Sequence, residues 1–408
     1  MNKNKIINDP VYGFITVKSD LIFDIISHPF FQRLRHIKQL GLTDLVYPGA
    51  LHTRFQHALG AMHLMGKVLD NLRQKKIEIS DAEYESAQIA ILLHDVGHGP
   101  FSHALEDSLL NSIKHESISY LMMAHLHEEL GGAIDVALKI FRNSYPRRFF
   151  HQLVSSQLDI DRLDYLTRDC FFTGVQEGTI GVERIISMLT VHRDQLVVEE
   201  KGIYSIENFL TARRLMYWQV YLHKATVSSE RMLVNIIRRA KLLVRGGEQV
   251  PASSSLLLFL KNDFSIDDFR TNKKALHAFG TLDDNDIWGA IKLWRNHDDR
   301  ILSLLCRMIL ERRLFQIVLS TDPIRKFLVE KIRTGVSRQY RTLRSESQYL
   351  FSHGTVSNEA YAEGEKINIL TKNGELLDIA QASDLPNIKA FNKIVKKNYL
   401  CWPRDVPV

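Results

Sequence analysis

Between Ile89 and His103 the chain reads Ile89-Ala-Ile-Leu-Leu-His94-Asp95-Val-Gly97-His98-Gly99-Pro100-Phe-Ser-His103. An imidazole and a carboxylate at consecutive positions, followed closely by two more imidazoles, are the groups that bind transition metals or move protons. The five apolar or small residues before them do not alternate, so they predict a buried helix that Gly97 and Pro100 end or bend. Burying both polar groups is unfavourable unless something satisfies them, and a divalent cation would do so. Taken alone, a His-Asp pair reads more simply as a capping aspartate beside a hydrogen-bonded histidine. The metal reading therefore depends on partners elsewhere.

Two segments supply them. Thr53-Arg54-Phe55-Gln56-His57 enters a predicted helix running to about Arg73, with Thr53 as N-cap and Gln56 at the capping-box position. Arg54 and His57 share one face of its first turn, where an anion also meets the helix N-terminus. Farther on, Asp161, Tyr165, Arg168 and Asp169 fall on one face of a polar helix; a salt-bridged solvent face would explain that helix if it stood alone. Together His57, His94, Asp95 and Asp161 form an N,N,O,O donor set from three helices, suited to Fe, Mn, Zn, Ni or Mg without choosing among them. Arg54, His98, His103, His115, Arg162 and Arg213 would form a cationic wall for a polyphosphate. Metal plus wall points to phosphoester hydrolysis, in which a metal polarises the phosphoryl group and acidifies a bound water.

The elements that must position these groups are mostly helical. The 408 residues are 45% hydrophobic and 25% charged, an ordinary globular composition. No apolar stretch is long enough to span a membrane, and the N-terminus has no signal-peptide core, so a cytoplasmic location is expected. Cys170, Cys306 and Cys401 are few and far apart, which fits free thiols in a reducing compartment. A net charge of +6 suits an anionic ligand, and 12 of the 17 histidines lie in the first 151 residues. Periodicity predicts helix over residues 20–40 with a break at Pro29, over 102–110, 114–123 and 158–169, and from Glu207 onward. Residues 124–150 read as exposed helix, and 256–345 as helix interrupted near Gly280 and Pro323. Hairpins are expected at 196–206, around Lys201-Gly202, and at 366–380, around Asn373-Gly374. With Gly246 to Ser255 as linker, the expected division is a catalytic core over 1–245, a helical extension over 246–345 and a small α+β region over 346–408. The fold class is mainly α with small β-hairpins.

The chain resembles the HD-domain deoxynucleoside triphosphate triphosphohydrolases. The match is carried by Ile7-Asn8-Asp9-Pro10, Gln32-Arg33-Leu34-Arg35, Ile37-Lys38-Gln39-Leu40-Gly41, Thr53-Arg54-Phe55 with His57, the string His94 to His103, Asp161 with Asp164-Tyr165, and Arg168-Asp169-Cys170. The resemblance implies an HD-domain helical core holding one divalent metal per subunit on His57, His94, Asp95 and Asp161, with further Mg or Mn arriving with substrate. It implies that His98, His103 and His115 surround the α-phosphate, His103 giving the proton to the leaving 5′-oxygen. Arg54, Arg162, Tyr165 and Arg213 would hold the triphosphate. Gln39 and Asp169 would bond the sugar 3′-hydroxyl, and Leu40 would occupy the space a 2′-hydroxyl needs. The implied products are deoxynucleoside and inorganic triphosphate, and the implied assembly is a dimer or tetramer.

Departures from the family pattern bear on regulation. The match begins within ten residues of Met1, so no sterile-alpha-motif domain is expected ahead of it. Leu42-Thr43-Asp44 replaces a glycine-rich stretch beside the sugar pocket. Lys5, Gln32 and Arg35 match the cluster that binds an activating nucleotide between subunits, but Ser27 stands where an acid reads guanine. Two other readings are a different HD phosphohydrolase, acting on another nucleotide or phosphorylated metabolite, and a nucleic-acid-binding protein with a vestigial metal site. Weak nucleic-acid binding is compatible with either enzyme reading.

Overall fold

The apolar run ahead of His94 forms the helix Asp81–Leu93, whose last turns from Ile89 to Leu93 are buried on every side. Ser80 and Glu83 start it reciprocally: Ser80 N–H donates to Glu83 Oε2 at 2.9 Å and Glu83 N–H to Ser80 Oγ at 3.2 Å. Against it packs the central helix Arg54–Gln74, buried on several faces, so it lies inside the core rather than on its surface. The expected capping interaction is present, with Thr53 N–H donating to Gln56 Oε1 at 2.9 Å. The third helix of the site, Ile160–Thr173, is N-capped by Asp159, which accepts the Arg162 N–H at 2.8 Å. It ends at Gly174, whose φ of +75° allows the left-handed cap.

The computed structural model describes residues 5–111, 113–358, 366–385 and 395–407. Of the 346–408 region, residues 359–365, 386–394 and 408 lie outside the described residues, as do residues 1–4 at the N-terminus. The described residues are 58% helical with a few small sheets, a mainly α fold as expected.

Several local expectations need correction. Over 20–40 the α-helix breaks at Pro29 but does not reach Leu40. It stops at Gln32, passes through the 3₁₀ turn Arg33–His36 and becomes extended at Ile37. Buried Arg33 explains the change, because its guanidinium donates to the Leu282 carbonyl at 2.8 Å and the Val96 carbonyl at 2.7 Å. Residues 124–150 are not an exposed surface: Ala137, Ile140, Phe149 and Phe150 are fully buried, and the helix Asp135–Phe141 packs on Asp81–Leu93. The hairpin near 196–206 is displaced toward the N-terminus. Leu189–His192 pairs with Gln195–Glu199 across Arg193-Asp194, which take positive φ of 50° and 60°, while Ile203 begins the helix Ile203–Met216. Within 256–345, Gln316–Ser320 is a strand.

The Asn373-Gly374 hairpin forms but is shorter than 366–380: it joins Asn368–Leu370 to Leu376–Asp378 with Gly374 at φ +82°, and Ile379 begins a short helix. Its first strand adds in parallel to Gln195–Glu199. A separate antiparallel sheet orders Gln316–Ser320, Val395–Trp402 and Ser352–Asn358. All three cysteines are buried and free.

Candidate metal centre

His57 lies in the first turn of Arg54–Gln74, His94 caps Asp81–Leu93, and Asp161 lies in the first turn of Ile160–Thr173. These three helix ends bring His57 Nε2 to 3.4 Å from His94 Nε2 and 3.1 Å from Asp161 Oδ1, with His94 Nε2 3.5 Å from the same oxygen. Asp95 adjoins the trio, its Oδ1 3.4 Å from His94 Nε2 and its Oδ2 3.7 Å from His57 Nε2. Arg54 Nη1 closely contacts Asp95 Oδ2, and Arg54 Nε donates to Ser102 Oγ at 2.8 Å.

The donor chemistry fits a divalent ion. His57 Nδ1–H donates to buried Asp164 at 2.7 Å and His94 Nδ1–H to the Ile91 carbonyl at 2.6 Å. With each Nδ1–H so engaged, it is Nε2 that both rings turn toward the shared point, and a bound cation would replace the proton there. Two lone pairs beside a carboxylate oxygen repel unless a cation lies among them. Bonds of about 2.1 Å around one ion place neighbouring donors roughly 3.0–3.4 Å apart, close to the spacings found. The field has the same sense: burial disfavours a charged His57, yet Asp161 and Asp164 outweigh it and hold the imidazole up at about 10. Burial also opposes ionised Asp95, but Arg54, His94 and His98 hold its carboxyl well below the usual range.

A second group surrounds Glu106. Its Oε1 accepts from His103 Nδ1–H at 3.1 Å and His115 Nδ1–H at 2.9 Å, while the His98 and His115 rings stack at 3.7 Å. Among the described residues these four side chains form one cluster able to hold an ion, and His57, His94 and Asp161 form another. One carboxylate oxygen shared by two N–H groups is better suited to a proton. Burial, then the charges of Arg54 and His115, keep the His98 pKa well below its usual value, so that ring is neutral.

Of the residues expected from the sequence to bind metal, carry out catalysis or hold substrate, all but His57 and Arg213 line one cavity of about 750 Å³. His57 lies behind its wall, and Arg213 is buried with Nη1 donating to Gln157 Oε1 at 3.0 Å. Arg162 faces the cavity while closely paired to Asp159 through Nη1. Burial pushes the Tyr165 hydroxyl pKa up despite nearby Arg213, so it stays a neutral donor. Asp169 has both oxygens engaged, by His52 Nε2–H at 2.7 Å and Tyr221 O–H at 2.7 Å. Gln39 lines the cavity with Oε1 buried and without a partner among the described residues, and Leu40 is beside it.

Sequence reasoning missed Glu106, His52, Asp164 as the partner of His57, and the lining residues Glu230 and Ser357. Only Glu106 carried a local signal, three residues after His103 on a helix face.

Residues 54–169 match the HD domain family, and residues 180–247 match the HD-associated region. A solved phosphohydrolase from Bacteroides thetaiotaomicron is 50% identical, with TM-score 0.95 over 98% of this chain and 100% of that one. The chain belongs to the HD-domain phosphohydrolases. The HD match runs from Arg54 to Asp169 and so contains His57, His94, Asp95 and Asp161. This phosphohydrolase is also 32% identical to the uncharacterised Bacillus subtilis protein YwfO, over 100% of this chain and 94% of that protein. It is 33% identical over 266 residues to a Dictyostelium discoideum homolog of the deoxynucleoside triphosphate triphosphohydrolase SAMHD1. That alignment covers 60% of this chain and 51% of the homolog, so it spans about half the length of that relative. Among the described residues no helix is long and apolar enough to cross a membrane.

Proposed function

We propose that this phosphohydrolase converts deoxynucleoside triphosphates and water to deoxynucleoside and inorganic triphosphate, using one divalent metal on His57, His94, Asp95 and Asp161. The observation that carries the reading is that one cavity is lined by metal donors, the imidazole group around Glu106, cationic Arg54 and Arg162, and the Gln39-Leu40 turn. Similarity to the Dictyostelium triphosphohydrolase homolog supports the same substrate class.

The metal, whether Fe, Mn, Zn, Ni or Mg, would supply Lewis acidity at the α-phosphate, and further Mg or Mn would arrive on the substrate. The chain's own groups do the rest. Arg54, Arg162 and Tyr165 bind the triphosphate, with Arg213 supporting Tyr165 from behind. His98 and His115 flank the α-phosphate. Water oxygen bonds to the α-phosphorus as the bond to the 5′-oxygen breaks. His103, oriented by Glu106, donates the proton that the leaving oxygen takes. Asp169 accepts from the 3′-hydroxyl, the Gln39 amide bonds the same hydroxyl, and Leu40 excludes a 2′-hydroxyl.

The active form is a cytoplasmic dimer or tetramer, and a nucleotide activator would sit at a subunit contact near Lys5, Gln32 and Arg35. Gln32 and Arg35 are already joined, Arg35 Nε donating to Gln32 Oε1 at 2.8 Å. The direct test is incubation with Mn²⁺ or Mg²⁺ and each deoxynucleotide, singly and mixed, with separation of products. Deoxynucleoside plus intact triphosphate is expected. Orthophosphate or a monophosphate would transfer the site to another phosphorylated substrate.

A further inference from the structure

A constraint on the cavity comes from beyond the two matched segments. Asp284 opens the helix Asp284–Trp294 and is 4% exposed. Its Oδ1 accepts the Phe101 N–H at 2.7 Å and its Oδ2 accepts the Lys38 N–H at 2.9 Å. One carboxylate thus ties together two backbone segments that are remote in sequence. The Lys38 segment, first in the chain, leads into Gln39 and Leu40, and the Phe101 segment, second, leads into His103; all three of those side chains line the cavity.

The second segment is strained. Phe101 and Ser102 hold positive φ of 55° and 53°, a conformation that side-chain-bearing residues keep only where surroundings over-determine it. The surroundings here are specific. The Phe101 ring is buried edge-on against Trp288, centroids 5.7 Å apart, one turn along Asp284's own helix. Ser102 Oγ accepts from Arg54 Nε at 2.8 Å and lies 3.5 Å from the Lys38 carbonyl, so the two segments also touch directly. A carboxylate gives each of the two converging N–H groups its own oxygen and brings no competing donor. Burial pushes the Asp284 carboxyl up to about 6, against the pull of those same N–H groups.

We propose that Asp284 is a positioning residue that sets the separation between the sugar-facing turn at Lys38–Gly41 and the turn carrying His103. It thereby governs both proton-donor placement and discrimination between deoxyribo- and ribonucleotides. The substrate part of this inference rests on the function proposed above; the bridging part does not.

Asp284→Asn tests it, because the amide keeps one acceptor and turns an NH₂ toward the other N–H. Hydrogen exchange in the segments 36–42 and 99–104 needs no substrate and is expected to accelerate in both. The dATP-to-ATP ratio of kcat/KM is expected to fall about tenfold and kcat by about 10–100-fold, as for a small misplacement of reacting groups. Metal content should stay at the wild-type level. Ile291→Ala, buried on the same helix without a hydrogen bond to either turn, should lower Tm while leaving exchange in both segments and the nucleotide ratio unchanged. Trp288→Leu should loosen only the Phe101 turn, lowering kcat while keeping the ratio. Unchanged exchange in D284N, or a nucleotide ratio that collapses equally in I291A or W288L, overturns the bridge. If exchange rises in D284N but wild-type protein releases no triphosphate, the bridge stands and the substrate assignment falls.

Discussion

The two histidine clusters use the same residue types for opposite ends. At the candidate metal centre His57 is fully buried, and each imidazole has its Nδ1 committed to a fixed acceptor. Around Glu106 the His103 side chain is 67% exposed, and two imidazoles compete for one carboxylate oxygen. Under the function proposed above, the first cluster would hold a cation among its fixed donors, and the second, with a shared acceptor beside an open ring, would pass a proton. The difference lies in what each ring's second nitrogen touches, which the bare histidine count does not reveal.

The comparison breaks most severely if the first cluster is not a metal site. The double variant His94→Ala with Asp95→Ala is expected to lose bound metal and all turnover together, read by elemental analysis and triphosphate release; turnover in a metal-free double variant would sink the assignment. Glu106→Gln should leave metal content unchanged and lower kcat by about 10²-fold, since a misplaced proton donor forfeits much of general-acid catalysis. Metal loss in that variant would instead make the two clusters one site. Asp164→Asn should act on the metal alone. His57 would lose its charged acceptor, and metal affinity should fall about 10–100-fold, with activity recovered by added Mn²⁺. Activity that excess metal cannot restore would assign Asp164 to fold stability through its bonds to Arg168, 2.9 Å away at Nε.

How far this site was readable follows from what each residue needed. His57, His94, Asp95 and Asp161 sit at helix ends whose apolar runs and caps are local patterns, so residue type and spacing sufficed. Glu106 was visible at His103 plus three, but a glutamate on a helix face is ordinary until its partners are in space. Asp284 left no trace, because its partners are 183 and 246 positions away and backbone N–H groups have no sequence signature. The hairpin was misplaced because Arg193-Asp194 takes positive φ that Asn-Gly usually announces, whereas Lys201-Gly202 offered a false turn. The helical class survived these errors because it depended on long periodic segments.

The smallest expected effect concerns the sugar. Leu40 is partly exposed on the cavity wall next to Gln39, whose Oε1 has no partner among the described residues. Truncation to Leu40→Ala opens space for a 2′-hydroxyl without offering it a hydrogen bond, so discrimination should weaken by roughly threefold to tenfold, the scale of a small apolar volume change. The gain should appear as a lower KM for ATP, with dATP turnover nearly constant. Gln39→Ala should instead raise KM for both nucleotides, because the 3′-hydroxyl is common to them. Equal use of ATP and dATP by the unaltered protein would mean that neither side chain selects the sugar, and the wall at Gln39-Leu40 would then be packing alone.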